Sequence, residues 1–220
     1  VLSFLYTVQI GDNNSDLDYK ATSSFSANGG SIKDNATNAA NLTLASPGAS
    51  GSLAANKNLV VDGIIPTITG FSPSDNSSFL KENTNFNVNF SENILTSTLT
   101  TNTANTSCTG SVQLSSDNYS SCIRMNSLSF NNDNNSLTID PYDNLSVDAV
   151  YKIKLKSSIT DLAGNNLSSD NISDQGYTIW KTKIIGDNST NDRSWMFQKN
   201  DEIYIAYRDN NKTSSGQDNY

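Results

Sequence analysis

Histidine is absent from the 220 residues. With it go the commonest general base, the Ser-His-Asp triad and histidine-ligated zinc. There are two cysteines, without CxxC spacing, so neither a four-ligand zinc site nor a thioredoxin-type motif is available. Lys and Arg number 14 against 22 Asp and Glu, a formal charge of −8. A sequence pI near 4.4 disfavours nucleic acid and anionic membranes as partners and suits divalent cations. The longest apolar run, Ile203 to Tyr207, is five residues long. A transmembrane helix needs about 20. Glu is nearly missing, with three residues against 19 Asp.

What fills the chain is Asn and Ser, 32 and 34 residues. Asn, Ser, Thr and Asp compete with helical hydrogen bonds and favour turns. Hydrophobic residues make up 35% and mean hydropathy is −0.47, so the core must be thin. Two-layer β architecture suits a thin core, because only alternate residues face inward. The composition predicts an all-β chain.

Residues 1–65 show alternation at Phe4, Tyr6, Val8 and Ile10, which predicts a strand over Val1–Ile10. Apolar bursts follow at Ile32, at Leu42 and Leu44, and at Leu59–Val61, divided by Gly- and Pro-containing turns. A strand-like start at Val1 predicts a piece of a larger protein, with export signals outside it. Asp62-Gly63-Ile64-Ile65-Pro66 reads as a linker, because Pro66 holds its predecessor extended and donates nothing to a ladder. It is expected to set the angle between modules.

Residues 66–180 hold strand patterns at 67–71, 84–91, 111–114, 122–130, 136–140, 149–156 and, running past the boundary, 176–184. Phe86, Val88, Phe90 and Tyr151, Ile153, Leu155 alternate with Asn and Lys, predicting one buried and one wet face. The Lys152, Lys154, Lys156 row is expected to guard an edge. Seven strands in this length predict an immunoglobulin-like β-sandwich. Cys108 and Cys122, in a Ser/Asn-rich stretch, predict a surface-loop disulfide and hence a non-cytosolic location. Residues 181–220 read as the start of a further β module, with a strand at Asp201–Asp209 and a flexible end from Thr213.

The pattern I-x-D-x-A-x-N occurs twice, from Ile32 to Asn38 and from Ile159 to Asn165, offset by 127 residues. In the second copy Asp161 is suited to an Asx-turn, Gly164 to a positive φ, and Asn165 to the same region. Thr37 replaces the glycine in the first copy, so that copy is expected to turn differently or to place Asn38 left-handed.

Taken together, Pro66-Thr67-Ile68, Ser72-Pro73-Ser74-Asp75, Asn83 to Phe86, Val88 to Ile94, Tyr151-Lys152-Ile153 and Asp161-Leu162-Ala163-Gly164-Asn165 resemble the bacterial Ig-like domains of S-layer-associated proteins. The resemblance covers 66–180, about half of the chain, and the Cys108–Cys122 segment departs from it. Residues 1–65 are similar to the back half of another bacterial surface-protein repeat, Ig-like or cadherin-like, through Gly11-Asp12-Asn13, Ser15 to Tyr19 and Gly30 to Asp34. The front strands of that repeat are expected before Val1. Ile203–Asp209 is similar to the start of a propeller-like repeat.

The resemblance implies a non-enzymatic spacer or adhesive module of an exported bacterial surface protein. Its partners would be neighbouring Ig-like modules and possible host proteins, matrix proteins or surface glycans. An accessory region of a secreted hydrolase is the alternative, and a sugar- or matrix-binding module a third.

For calcium, Asp12, Asp16 and Asp18 cluster in one turn and Asp62 lies at the junction, although no EF-hand loop is present. The competing reading makes them ordinary turn residues. Glu92 and Asp161 are the one carboxylate pair considered for glycoside chemistry, and nothing local places them together. Trp180, Trp195, Tyr177, Tyr204 and Tyr207 are the aromatic candidates for sugar stacking, against core packing. The N-x-S/T sequons are expected by chance at this Asn and Ser content.

Overall fold

In the computed structural model the described residues are 3–180 and the backbone of Ser194–Lys199 and Glu202–Tyr207. The chain divides into two units, 1–180 and 181–220.

Two sheets form the heart of the first unit. One runs β3 (Ile68–Ser72), β4 (Phe86–Phe90), β7 (Ser136–Ile139), β6 (Ser129–Phe130) in that spatial order. The other runs β10 (Tyr177–Thr178), β8 (Val150–Leu155), β5 (Val112–Ser115), and β9 (Asn171–Ile172) also pairs with β8. All their strand pairings are antiparallel. Phe86, Val88 and Phe90 of the first sheet and Tyr151, Ile153 and Leu155 of the second share one buried cluster with Val112, Leu114, Leu137 and Ile139. This is the two-layer sandwich that the alternation predicts.

Three expectations for this region change. Of 122–130, only Ser129–Phe130 pairs as a strand, with one bridge from Met125 to Pro141. Cys122 and Met125 are buried by looping inward, so apolar burial there needs no period of two. The Lys row guards no edge, because β8 lies between β10 and β5. Lys154 instead lies 3.6 Å over the Tyr119 ring, and Lys152 Nζ donates to the Asp174 carbonyl at 2.6 Å. Finally, β5 is buried at all four positions. Gln113 and Ser115, polar in sequence, are covered by the disulfide-bearing loops, and Gln113 Nε2 donates to the carbonyls of Cys108 and Gly110. The disulfide between Cys108 and Cys122 is formed, with Cα atoms 4.9 Å apart.

Residues 3–65 contain far less regular structure than the pattern predicts. Positions 3–10 are not a strand, and Phe4, Leu5 and Ile10 are 79%, 95% and 84% exposed. An alternating segment stays extended as a strand only when a partner completes its ladder, and among the described residues none does. The pairs present are β1 (Asn13–Asn14) with β2 (Val61–Asp62), extended by the Gly11 and Gly63 amides. Gly63 allows this approach, since a Cβ there would clash with the Gln9 carbonyl oxygen. One four-residue helical turn, α1 (Leu53–Asn56), is capped by the Ser52 side chain.

In the second unit β11 (Ser194–Lys199) and β12 (Glu202–Tyr207) form an antiparallel hairpin. The strand expected at Asp201–Asp209 is present over 202–207. It pairs with β11, a segment for which the sequence pattern predicts no strand. The expected flexible end and the 181–184 part of the last sandwich strand lie outside the described residues.

Candidate functional site

The two copies of the repeated motif fold alike. Asp161 Oδ1 accepts the amides of Ala163 and Asn165, each at 2.8 Å, and Oδ2 accepts Asn165 Nδ2 at 2.8 Å. Asp34 Oδ1 accepts the amides of Ala36 and Asn38, and Oδ2 accepts Asn38 Nδ2, all at 2.9 Å. Backbone bonds repeat as well: Asp161 N to Asn165 O and Asp34 N to Asn38 O are both 3.0 Å, and Leu167 N to Ile159 O matches Ala40 N to Ile32 O. Gly164 sits at φ +93°, the left-handed region in which glycine is at ease. Thr37 occupies the same place at φ 70°. The expectation of a different turn in the first copy, or of Asn38 as the left-handed residue, is therefore overturned. Six hydrogen bonds, three to the Asp34 carboxylate and three between backbone groups, outweigh the strain of one β-branched residue.

Their surroundings differ. Asp161 is 1% exposed, whereas Asp34 lies at the surface. The Asp161 turn is gripped from two sides. Ile94 bridges to Asp161, and the Leu95 amide donates to the Thr160 carbonyl at 2.9 Å. Asn165 Nδ2 also donates to the backbone carbonyl of Asp62 at 3.1 Å, joining residues 103 positions apart.

At this point Asp62, Glu92 and Asp161 converge, with one carboxylate oxygen from each lying within 4.8 Å of the others. Among the described residues no other group of three such ligands meets, and the one ion pair, Arg124 with Asp143, does not involve them. Glu92 Oε1 is shut from solvent without a hydrogen-bond partner. Burial first, then the Asp161 and Asp62 carboxylates, push the Glu92 carboxyl above its ordinary value. Three carboxylates at this spacing offer part of the six to eight oxygens that a calcium ion takes.

The Asp-rich turn expected to supply such ligands does not assemble. Asp12 is bound by the Tyr6 hydroxyl and the Gln9 amide, and that hydroxyl holds its carboxyl below the ordinary value. Asp18 accepts the amides of Gly48 and Tyr19. Asp16 meets neither in a three-ligand group, so of the four candidates only Asp62 joins other carboxylates in one. Glu92 and Asp161, 69 positions apart in the numbering, carry no local sign of their meeting.

Their closeness does not make a glycosidase pair. Asp161 is buried with its oxygens committed to its own turn, whereas glycoside cleavage needs both carboxyls against a sugar ring. A separate cavity of about 300 Å³, lined by Asn105, Arg124, Asp143 and Tyr151 among others, holds one carboxylate, and that one is paired with Arg124 at 3.4 Å. Of the aromatic candidates, Tyr177 is fully buried, 4.7 Å from the Phe86 ring, and is no surface platform. Trp180 is 43% exposed against Phe79. The side chains of Trp195, Tyr204 and Tyr207 lie outside the described residues.

A family model described as bacterial Ig-like domain matches residues 62–182. The chain belongs to the bacterial Ig-like domain family. The match begins at Asp62, the residue whose carbonyl is tied to Asn165 of this Ig-like domain. No curated protein sequence matches the chain. Among solved structures, it is similar to domains 1–6 of the surface layer protein SbsC, at 18% identity over 53% of this chain and 14% of that one, with a TM-score of 0.36. It is similar also to the S-layer protein rSbsC, at 18% identity over 54% of this chain and 14% of that one, with a TM-score of 0.37. The N-terminal part of SbsC is matched at 16% identity over 53% and 24%, with a TM-score of 0.37. The chain thus spans under a quarter of the length of these structures. No helix among the described residues of this Ig-like protein is long and apolar enough to cross a membrane.

Proposed function

We propose that this chain is a non-catalytic module of an exported bacterial surface protein, acting as a spacer that fixes the direction of the chain entering it. The observation that carries this reading is the bond from Asn165 Nδ2 to the Asp62 carbonyl, made within the acidic cluster of Asp62, Glu92 and Asp161. It ties the incoming segment down six residues before β3 begins at Ile68. Membership of the Ig-like family and the disulfide, a bond of oxidising compartments, support a location outside the cytosol. Calcium at the cluster would offset the repulsion among its carboxylates and stiffen the same joint.

Spin-label distance measurements between Asn41→Cys and Asn132→Cys in the full chain test the reading. A narrow distribution, broadened by Asn165→Ala and narrowed by millimolar calcium, is expected. A broad distribution that none of these changes alters would overturn it.

A further inference from the structure

A spacer needs no cavity, yet the sandwich carries one with fixed walls. Its volume is about 300 Å³, and its lining comes from residues 104–106, 123–124, 143–146 and Tyr151 of β8. The first two stretches flank the Cys108–Cys122 bond, in the segment that departs from the family pattern. Each wall is pinned. The buried Asn102 side chain holds the first, accepting the amides of Ala104 and Asn105 and donating to the Ser107 carbonyl at 2.9 Å. The Cys122 amide ties that wall to the second by donating to the Thr106 carbonyl at 2.8 Å. The third is fixed by the Tyr142 amide on the Arg124 carbonyl and the Leu145 amide on that of Glu82.

The lining is part apolar, through Ile123 and the buried Leu145. The remainder is polar and largely uncommitted. The Arg124 guanidinium lies 3.4 Å over the Tyr142 ring and 3.4 Å from one Asp143 oxygen, so its plane is set while most of its N–H donors stay available. Tyr151, 2% exposed, accepts the Ser146 amide at 2.8 Å, and among the described residues its own hydroxyl proton goes to no acceptor. These groups select by charge as well as shape. Arg124 repels a cation, Asp143 and the net charge of −8 repel an anion, and the polar lining disfavours a hydrocarbon. A neutral ring with an apolar face and neighbouring hydroxyls, each both donor and acceptor, satisfies the apolar wall, Arg124, Asp143 and Tyr151 together.

We propose that this cavity is a binding site for a neutral pyranose unit. The hydroxyls bridge Arg124 and Asp143, and the ring face lies on Ile123 and Leu145. Because the walls are set before the sugar arrives, little ordering opposes binding.

The test titrates the full chain, labelled with ¹⁵N, with the methyl glycosides of glucose, mannose, galactose and N-acetylglucosamine, and with glucuronate as the anionic comparator. At least one neutral glycoside at millimolar concentration is expected to shift the signals of Asn105, Arg124 and Ser146 more than glucuronate does. Arg124→Gln and Asp143→Ala should each weaken that binding about tenfold, the worth of one net hydrogen bond. The amide signals of Phe86, Ile153 and Tyr177 in each variant report that the sandwich is still folded. Cellotriose and maltotriose distinguish the source: tighter binding than the single glycoside marks a unit within a chain, and equal binding a lone sugar, either of which sustains the site. Absence of shifts with every neutral glycoside, tighter binding of glucuronate, or undiminished binding in both variants would each overturn the proposal.

Discussion

Substituting the two left-handed residues in opposite senses should move the two turns in opposite directions. Gly164 sits at φ +93°, and a Cβ added there would meet nothing within 4 Å, so Gly164→Ala is charged only for backbone strain. A left-handed L-residue costs about 1–2 kcal/mol. Restricting the unfolded chain returns about 0.4–1 kcal/mol. The net expectation is a loss of about 1 kcal/mol, or roughly 2–4 °C in Tm for a unit of this size. Thr37 already bears that strain at φ 70°, so Thr37→Gly should reverse the sign and stabilise its turn by about 1 kcal/mol. The Asp34 turn is exposed and can open without global unfolding, so amide exchange is the sharper assay. The Asn38 amide, bonded to Asp34 Oδ1 at 2.9 Å, should exchange about fivefold more slowly in Thr37→Gly. The turns share no hydrogen-bond partner, so the double variant should show the sum of both effects. If Thr37→Gly leaves Asn38 exchange unchanged or faster while Gly164→Ala costs nothing, the two turns are not the same device.

Glu92→Gln should raise Tm at neutral pH. Because the Glu92 carboxyl is pushed up in the fold, its effect is harmless at pH below the ordinary carboxylate value and destabilising as pH rises through the raised one. The variant should flatten that decline, and calcium should raise the Tm of the unsubstituted protein but not of Glu92→Gln, as differential scanning calorimetry will read. Replacing both Cys108 and Cys122 by Ser should cost about 3 kcal/mol, since the bond closes a loop of about 15 residues; thiol labelling of the unreduced, denatured protein should find no free thiol. Tyr177→Phe should be neutral or stabilise by up to about 1 kcal/mol in chemical denaturation, because it removes a buried hydroxyl that has no partner.

The sandwich was legible where burial depends on every second residue. Phe86, Val88 and Phe90, and Tyr151, Ile153 and Leu155, face inward as their spacing requires. The same rule misreads Phe4 to Ile10, since alternation records a capacity to pair and cannot supply the partner. It misses Gln113 and Ser115, which are buried by loops crossing over β5 and not by their own periodicity. The Asx-turn of Asp161 and the left-handed Gly164 follow from adjacent residues, whereas the Asn165 side-chain bonds to Asp161 and to the Asp62 carbonyl do not, and Asn165 is not itself left-handed. The acidic cluster could not be read, because Glu92 enters it from a loop that only the sheet pairing brings near. Thr37 shows the limit of residue-by-residue propensity: the carboxylate network sets the backbone, and the side chain submits.

The amide of Asn165 holds a peptide oxygen of residue 62 and no side-chain atom of it. Every amino acid offers that oxygen. A clasp of this kind is indifferent to what is threaded through it, so its geometry can outlast substitution of the residue it holds.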